Sequence, residues 1–200
     1  MSNQNIVPTT KEIEAKFFVE PEEIRKKLVS LNAELIEKEK PMRRKVFGIA
    51  HDNKYFRVRD ENSSITMTCK VITGKGIHDV LETEIKVDNF DKACEILELT
   101  GLPVKSYQET TREIWELDDV EIVIDHWPFL PYVVEVEGES EELVKSVCKK
   151  LGFDFDKAVF GGIGGMYILV YDVEEKEVNS WENITFENKE LEKYLLGKKR

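Results

Sequence analysis

Charge alternates with apolar side chains in the run Glu12-Ile-Glu14-Ala-Lys16. As a strand, this run turns two carboxylates and an ammonium to one side and Ile13, Ala15 and Phe17 to the other. The pattern returns as Arg57 with Arg59, Glu82 with Glu84, and Glu135 with Glu137. Strands that are apolar on one face and densely charged with both signs on the other are hard to explain by packing alone. They predict an interior lined with charge, suited to a polyanion and its metal ions.

The 200 residues predict one domain over 1–173 and a charged C-terminal extension over 174–200. An apolar fraction of 41% is enough for a core. The 40 acidic and 29 basic residues give a net charge of -11, so no stable nucleic-acid partner is expected. No apolar run approaches the roughly 20 residues of a membrane span, and the polar N-terminus lacks the apolar stretch of a signal peptide. Cys69, Cys94 and Cys148 form neither a zinc pattern nor an even disulfide set. A cytoplasmic protein, monomer or homodimer, fits these features.

Along the chain, a strand is expected over 12–19 and a helix over 21–33, opened by Pro21 and carrying Ile24, Leu28 and Leu31. Strands follow over 43–50, 54–60, 64–72 and 78–87, with a glycine-rich turn at 73–76. Asp88 is the expected N-cap of a helix burying Phe90, Ala93, Cys94 and Leu97 and closed by Gly101. Strands at 105–116, 120–127 and 132–138 come next, with Asp118-Asp119 as a hairpin turn. Ser140 opens a helix carrying Leu143, Val147 and Leu151, ended by Gly152. The glycine run 161–165 reads as a loop, 166–173 as strand or helix, and Leu191 to Leu196 as a short amphipathic end. The fold class is α+β: antiparallel strands, helices on their apolar outer faces, and charged inner faces closing around a wet cavity.

Glu12, Glu14, Glu135 and Glu137 are candidate ligands for Mg2+ or Mn2+, with Glu82 as a further one, because these ions take hard oxygen donors. Solvated strand faces would show the same residues, but less regularly alternated with apolar positions. Lys16, Arg57, Arg59, Lys70 and Arg112 form a basic set; arginine offers phosphate a planar fork and lysine a point charge. Arg43, Arg44 and Lys45 cluster near the start of a strand, and of these Arg43 joins the phosphate-binding candidates together with Lys105. Glu84 and Asp125 are the candidates to accept a proton from water, Asp125 alternatively to orient an arginine. The three histidines are far apart and mark no zinc site.

In this order the motifs resemble the CYTH superfamily, the triphosphate tunnel metalloenzymes, over about residues 10–170. Glu12-Ile-Glu14-Ala-Lys16 matches its E-x-E-x-K signature. Tyr55-Phe-Arg57-Val-Arg59 resembles its paired-arginine strand, Thr66-Met-Thr-Cys-Lys70 its lysine strand, and Glu82-Thr-Glu84 its middle acidic pair. Arg112, Asp125 and Val134-Glu135-Val-Glu137-Gly138 follow in order. The resemblance implies an eight-stranded antiparallel closed β-barrel that holds a small-molecule triphosphate and one or two divalent metals. It implies a triphosphatase or a class IV adenylyl cyclase. A non-catalytic polyphosphate- or nucleotide-binding module is the third reading, favoured by a departure at Val80-Leu81, where many members carry an arginine; Arg43 or Lys45 is left to compensate.

Overall fold

Period-two alternation builds the sheet. The computed structural model of the chain describes residues 10–11, 13–48, 53–72 and 80–200. Glu12, His51, His78 and the turn at 73–76 lie outside the described residues. The strands are β1 (Thr10–Lys11), β2 (Glu14–Phe18), β3 (Glu34–Phe47), β4 (Lys54–Asp60), β5 (Ile65–Ile72), β6 (Val80–Val87), β7 (Val104–Leu117), β8 (Val120–His126), β9 (Val133–Glu137) and β10 (Asn183–Ile184). Hydrogen bonding runs in the order β1-β6-β5-β4-β3-β7-β8-β9-β2, with β10 beside β7. All pairs are antiparallel except β10 with β7.

This pairing is a path, not the closed ring expected. Its two ends, β1 and β2, are successive pieces of one N-terminal segment, the first bordering β6 and the second β9. Taken as one strand, they bring the antiparallel count to the expected eight.

The helices cover the outer face. In α1 (Pro21–Ser30), Ile24 and Leu28 are buried; in α3 (Glu141–Leu151), Val144, Val147, Cys148 and Leu151 are. These helices pack on Ile13, Ala15 and Phe17 of the N-terminal segment, Ile122 and Ile124 of β8, and Val134 and Val136 of β9. The helix α2 (Phe90–Leu99) packs Phe90, Ala93, Cys94 and Leu97 on Phe47 and Val58. Each buried valine, leucine, isoleucine or phenylalanine among them contributes roughly 1.5–3 kcal/mol.

Several boundaries differ from expectation. Asn89, not Asp88, caps α2, its side chain accepting from the Lys92 amide at 2.9 Å. Leu143 is exposed and Val144 takes its place on the stripe. The helix expected to reach residue 33 stops at Ser30, and β3 begins at Glu34, nine residues early. Pro41 lies where β3 pairs with β7 alone, since the β4 ladder starts at Arg43; a missing N–H is tolerated there. Asp118 and Asp119 both adopt positive φ, 54° and 60°, so the hairpin turns without glycine.

Residues 166–170 are helical, within α4 (Gly164–Val170). At Gly165 a Cβ would come within 2.8 Å of Val159 Cγ1, so any larger residue would force Val159 to shift. Beyond it, α5 (Glu175–Val178), β10 and α6 (Lys189–Leu196) contribute Val178, Ile184, Leu191 and Leu195 to a second core with Trp127, Leu130, Val133, Met166 and Tyr167. No helix among the described residues is long and apolar enough to cross a membrane.

Candidate functional site

With Ile122, Ile124, Val134 and Val136 outward, the alternate residues of the same strands face inward. Two chains of ion pairs line this inner face. The first spans β2, β9, β7 and β8. The Lys16 ammonium lies 2.5 Å from Glu14 and 3.7 Å from Glu135. Glu135 lies 3.5 Å from Arg112, whose Nε and Nη2 donate to the two oxygens of Asp125 at 2.8 and 2.6 Å. The second chain spans β4, β5 and β6. Lys70 meets Glu82 at 2.9 Å; Arg57 meets Glu82 at 3.4 Å and Glu84 at 3.6 Å; Arg59 meets Glu84 at 3.8 Å and Glu61 at 2.8 Å. Thr68 donates to Glu84 at 2.7 Å.

The two chains act on each other. Burial raises the Glu135 carboxyl, but Lys16, Arg112, Arg44 and Lys70 outweigh it and hold Glu135 down to about 2. Lys70 is on β5 and Glu135 on β9, five strand steps apart along the pairing path. The backbone gives the reason. Lys11 pairs with Leu81 of β6 and Glu14 with Glu137 of β9. Three residues of chain reach at most about 10 Å, so the two ends of the path approach each other and the sheet curves round a common space.

Like-charged carboxylates also meet there. Glu14 is directly opposite Glu137, and Glu137 opposite Glu121. Burial pushes the Glu121 carboxyl up, although the side chain stays open to solvent within the dense surroundings. At Glu84, burial raises the carboxyl, but the Thr68 hydroxyl and the charges of Arg59 and Arg57 bring it below its usual range. Burial, then the neighbouring Arg57 and Arg112, lowers Arg59 to about 10. Arg112 is raised: burial opposes its charge, but Asp125 and Glu135 more than compensate.

Of the residues expected from sequence, Glu14, Lys16, Arg57, Arg59, Lys70, Glu82, Glu84, Arg112, Asp125, Glu135 and Glu137 share this face. Glu12 lies outside the described residues. Lys105 makes no ion pair with that face among the described residues; its Cδ lies 3.4 Å from where a side chain on Gly48 would begin, beside Tyr55. Arg43 does not join them: it lies on the outer face, paired with Asp60 at 3.1 Å and stacked 4.4 Å from the Phe90 ring. Its neighbour Arg44 points inward, buried beside Trp127 and Thr110. Sequence reading also passed over Glu61 and Glu121. Parity with Phe47 puts Arg43 outside and Arg44 inside, but Val46 is apolar too and gives the opposite answer. Among the described residues, no three His, Cys, Asp or Glu side chains stand close enough together to hold a metal ion.

The sequence profile described as CYTH domain matches residues 10–158. No curated protein matches the chain. Among solved structures, the PH1012 protein of Pyrococcus horikoshii is similar with a TM-score of 0.66 and 23% identity, covering 74% of this chain and 93% of that one. A conserved hypothetical protein of Pyrococcus furiosus has a TM-score of 0.64 and 21% identity over 74% and 94% of the two chains. A Vibrio parahaemolyticus protein, assigned provisionally as an adenylate cyclase, has a TM-score of 0.68 and 12% identity over 80% and 98%. Likeness at these identities concerns the fold.

Proposed function

The chain belongs to the CYTH domain family, and from that premise we propose that it hydrolyses a small-molecule triphosphate, inorganic or organic, with the help of Mg2+ or Mn2+. The observation that carries this reading is the convergence of Lys16, Arg57, Arg59, Lys70 and Arg112 on one curved inner face, interleaved with carboxylates. Unbound, such cations pair with the carboxylates beside them; a phosphate chain would replace those contacts with stronger charge-assisted ones.

The carboxylates fit a hard divalent ion by chemistry. Like charges directly opposite on neighbouring strands are destabilising without a cation, and Glu137 stands opposite both Glu14 and Glu121 in this way. Glu14, Glu135 and Glu137, with Glu12 and Glu82, are the carboxylates that would hold the ion, drawn closer together by it than they stand in its absence. Bound there, it would supply charge withdrawal from phosphoryl oxygens. Arg57, Arg59, Lys70 and Lys16 would bind and orient the phosphates, with Lys105 as a further candidate. Arg112 would hold a further phosphate oxygen, and Asp125, with both oxygens engaged, would act by positioning Arg112. Glu84, kept ionised by Thr68 and its arginines, would accept the proton of the attacking water. The N-terminal segment would close the sheet into a tunnel, and the protein would act in the cytoplasm as a monomer or homodimer.

The test is a substrate panel of tripolyphosphate, thiamine triphosphate and ATP, with phosphate and cyclic AMP measured separately. Phosphate release supports the reading. Cyclic AMP without phosphate would replace it with a cyclase, and tight binding without turnover would replace it with a binding module.

A further inference from the structure

Strand β3 runs between the two ion-pair chains, and its inward cation belongs to neither. Among the buried lysines and arginines, Lys16, Lys70 and Arg112 each have a carboxylate within 4.0 Å. Arg44, 5% exposed, has none among the described residues. Its Nη2 donates to the Thr110 hydroxyl at 2.9 Å, and its guanidinium lies 4.5 Å from the Trp127 ring. Its Nε–H is buried with no acceptor, and so is the indole N–H of Trp127, itself 3% exposed. Burial, and then the charges of Arg112 and Arg57, push this guanidinium down to about 9.

These contacts do not repay the charge. Stacking on an aromatic ring and one hydroxyl hydrogen bond each return less than the desolvation of a buried ion costs. Two unfilled, buried donors on adjacent side chains point to an absent acceptor. A phosphate oxygen suits a guanidinium fork and an indole N–H. No carboxylate lies within ion-pair distance of Arg44 among the described residues, so this place offers a phosphate two donors and a metal no anionic ligand.

We propose that Arg44 and the Trp127 indole N–H form a carboxylate-free anion subsite that grips one phosphate of the bound chain without a metal ion. The subsite rests on the triphosphate reading and adds an asymmetry to it. One part of the phosphate chain lies among the carboxylates of β2 and β9. Another lies against donors alone, on a wall that Met166 and Tyr167 of α4 help to build through Trp127.

The experiment uses the full chain and tripolyphosphate in EDTA, with affinity by calorimetry and thermal unfolding with and without ligand. Wild type is expected to bind without metal. Arg44→Met should melt at or above the wild-type temperature when free, because a lone buried charge is gone. It should also lose at least about tenfold in metal-free affinity, the worth of one charged hydrogen bond. Trp127→Phe keeps the ring, loses the donor and should also bind more weakly; it decides the matter if Arg44→Met does not fold. Wild-type affinity in the variants, or an Arg44→Met protein that melts lower with an undiminished ligand-induced rise, overturns the subsite. So does wild-type binding that requires metal. A wild type that ignores tripolyphosphate with and without metal overturns the triphosphate reading itself.

Discussion

Arg112 and Asp125 stand directly opposite each other on β7 and β8 and share two parallel hydrogen bonds, with Asp125 wholly buried. Removing one partner leaves the other charged in a desolvated place. Asp125→Ala should therefore destabilise the fold by about 3–5 kcal/mol, read from urea unfolding. Replacing both residues by apolar ones of similar size should recover much of that loss but not substrate affinity. A single Asp125→Ala variant as stable as wild type would remove the positioning role.

Arg43 and Arg57 make a contrasting pair. Arg43→Ala should leave KM for tripolyphosphate unchanged, because its side chain is outside, between Asp60 and Phe90. Arg57→Ala should raise KM, because its partners are the inward Glu82 and Glu84. Steady-state kinetics on the two variants reads the difference, and equal effects would contradict the assignment of faces.

Glu84→Gln should lower kcat about 10²–10⁴-fold, the usual worth of a positioned proton acceptor, while the melting temperature stays near that of wild type. The side chain is part-exposed, so its ion pairs to Arg57 and Arg59 add little stability. Unchanged kcat would move the proton to another group.

Acid should weaken the fold through Glu135. Its folded carboxyl sits at about 2 against a usual 4.5, so the unfolded chain takes up the proton first. The stabilisation is complete above about pH 4.5 and disappears as pH falls through about 2. Glu135→Gln should flatten the stability profile across that window; a profile parallel to wild type would contradict the cause given.

Deleting residues 174–200 removes Val178, Ile184, Leu191 and Leu195 from the second core. At roughly 1.5–3 kcal/mol each, the loss of about 6–12 kcal/mol rivals the entire stability of an ordinary domain. The truncated chain should show no cooperative unfolding transition by circular dichroism. A transition at the wild-type midpoint would make this segment dispensable.

The strands carrying the charged pairs were legible because their two faces differ so sharply: Arg57 and Arg59 alternate with Phe56 and Val58, and Glu135 and Glu137 with Val134 and Val136. The beginning of β3 was not, because Glu34 to Lys40 has mixed polarity along a bulged strand with register shifts at Leu35, Glu37 and Lys40. Arg44 was hidden further along the same strand, where Val46 and Phe47 leave the parity undecided. The second core was hidden for another reason. Val178, Ile184, Leu191 and Leu195 are sparse among charges, and what makes them a core is Trp127 and Val133, forty-five to sixty-eight residues away.

Phosphate release from tripolyphosphate, followed with Mg2+ or Mn2+ and again in EDTA, tests the inner face as a phosphoryl-transfer site most directly. Wild type should turn the substrate over with metal and not without it, and Arg57→Ala should be impaired at the same metal concentration. No release from any triphosphate, or equal rates in wild type and Arg57→Ala, would contradict the assignment of this face to catalysis.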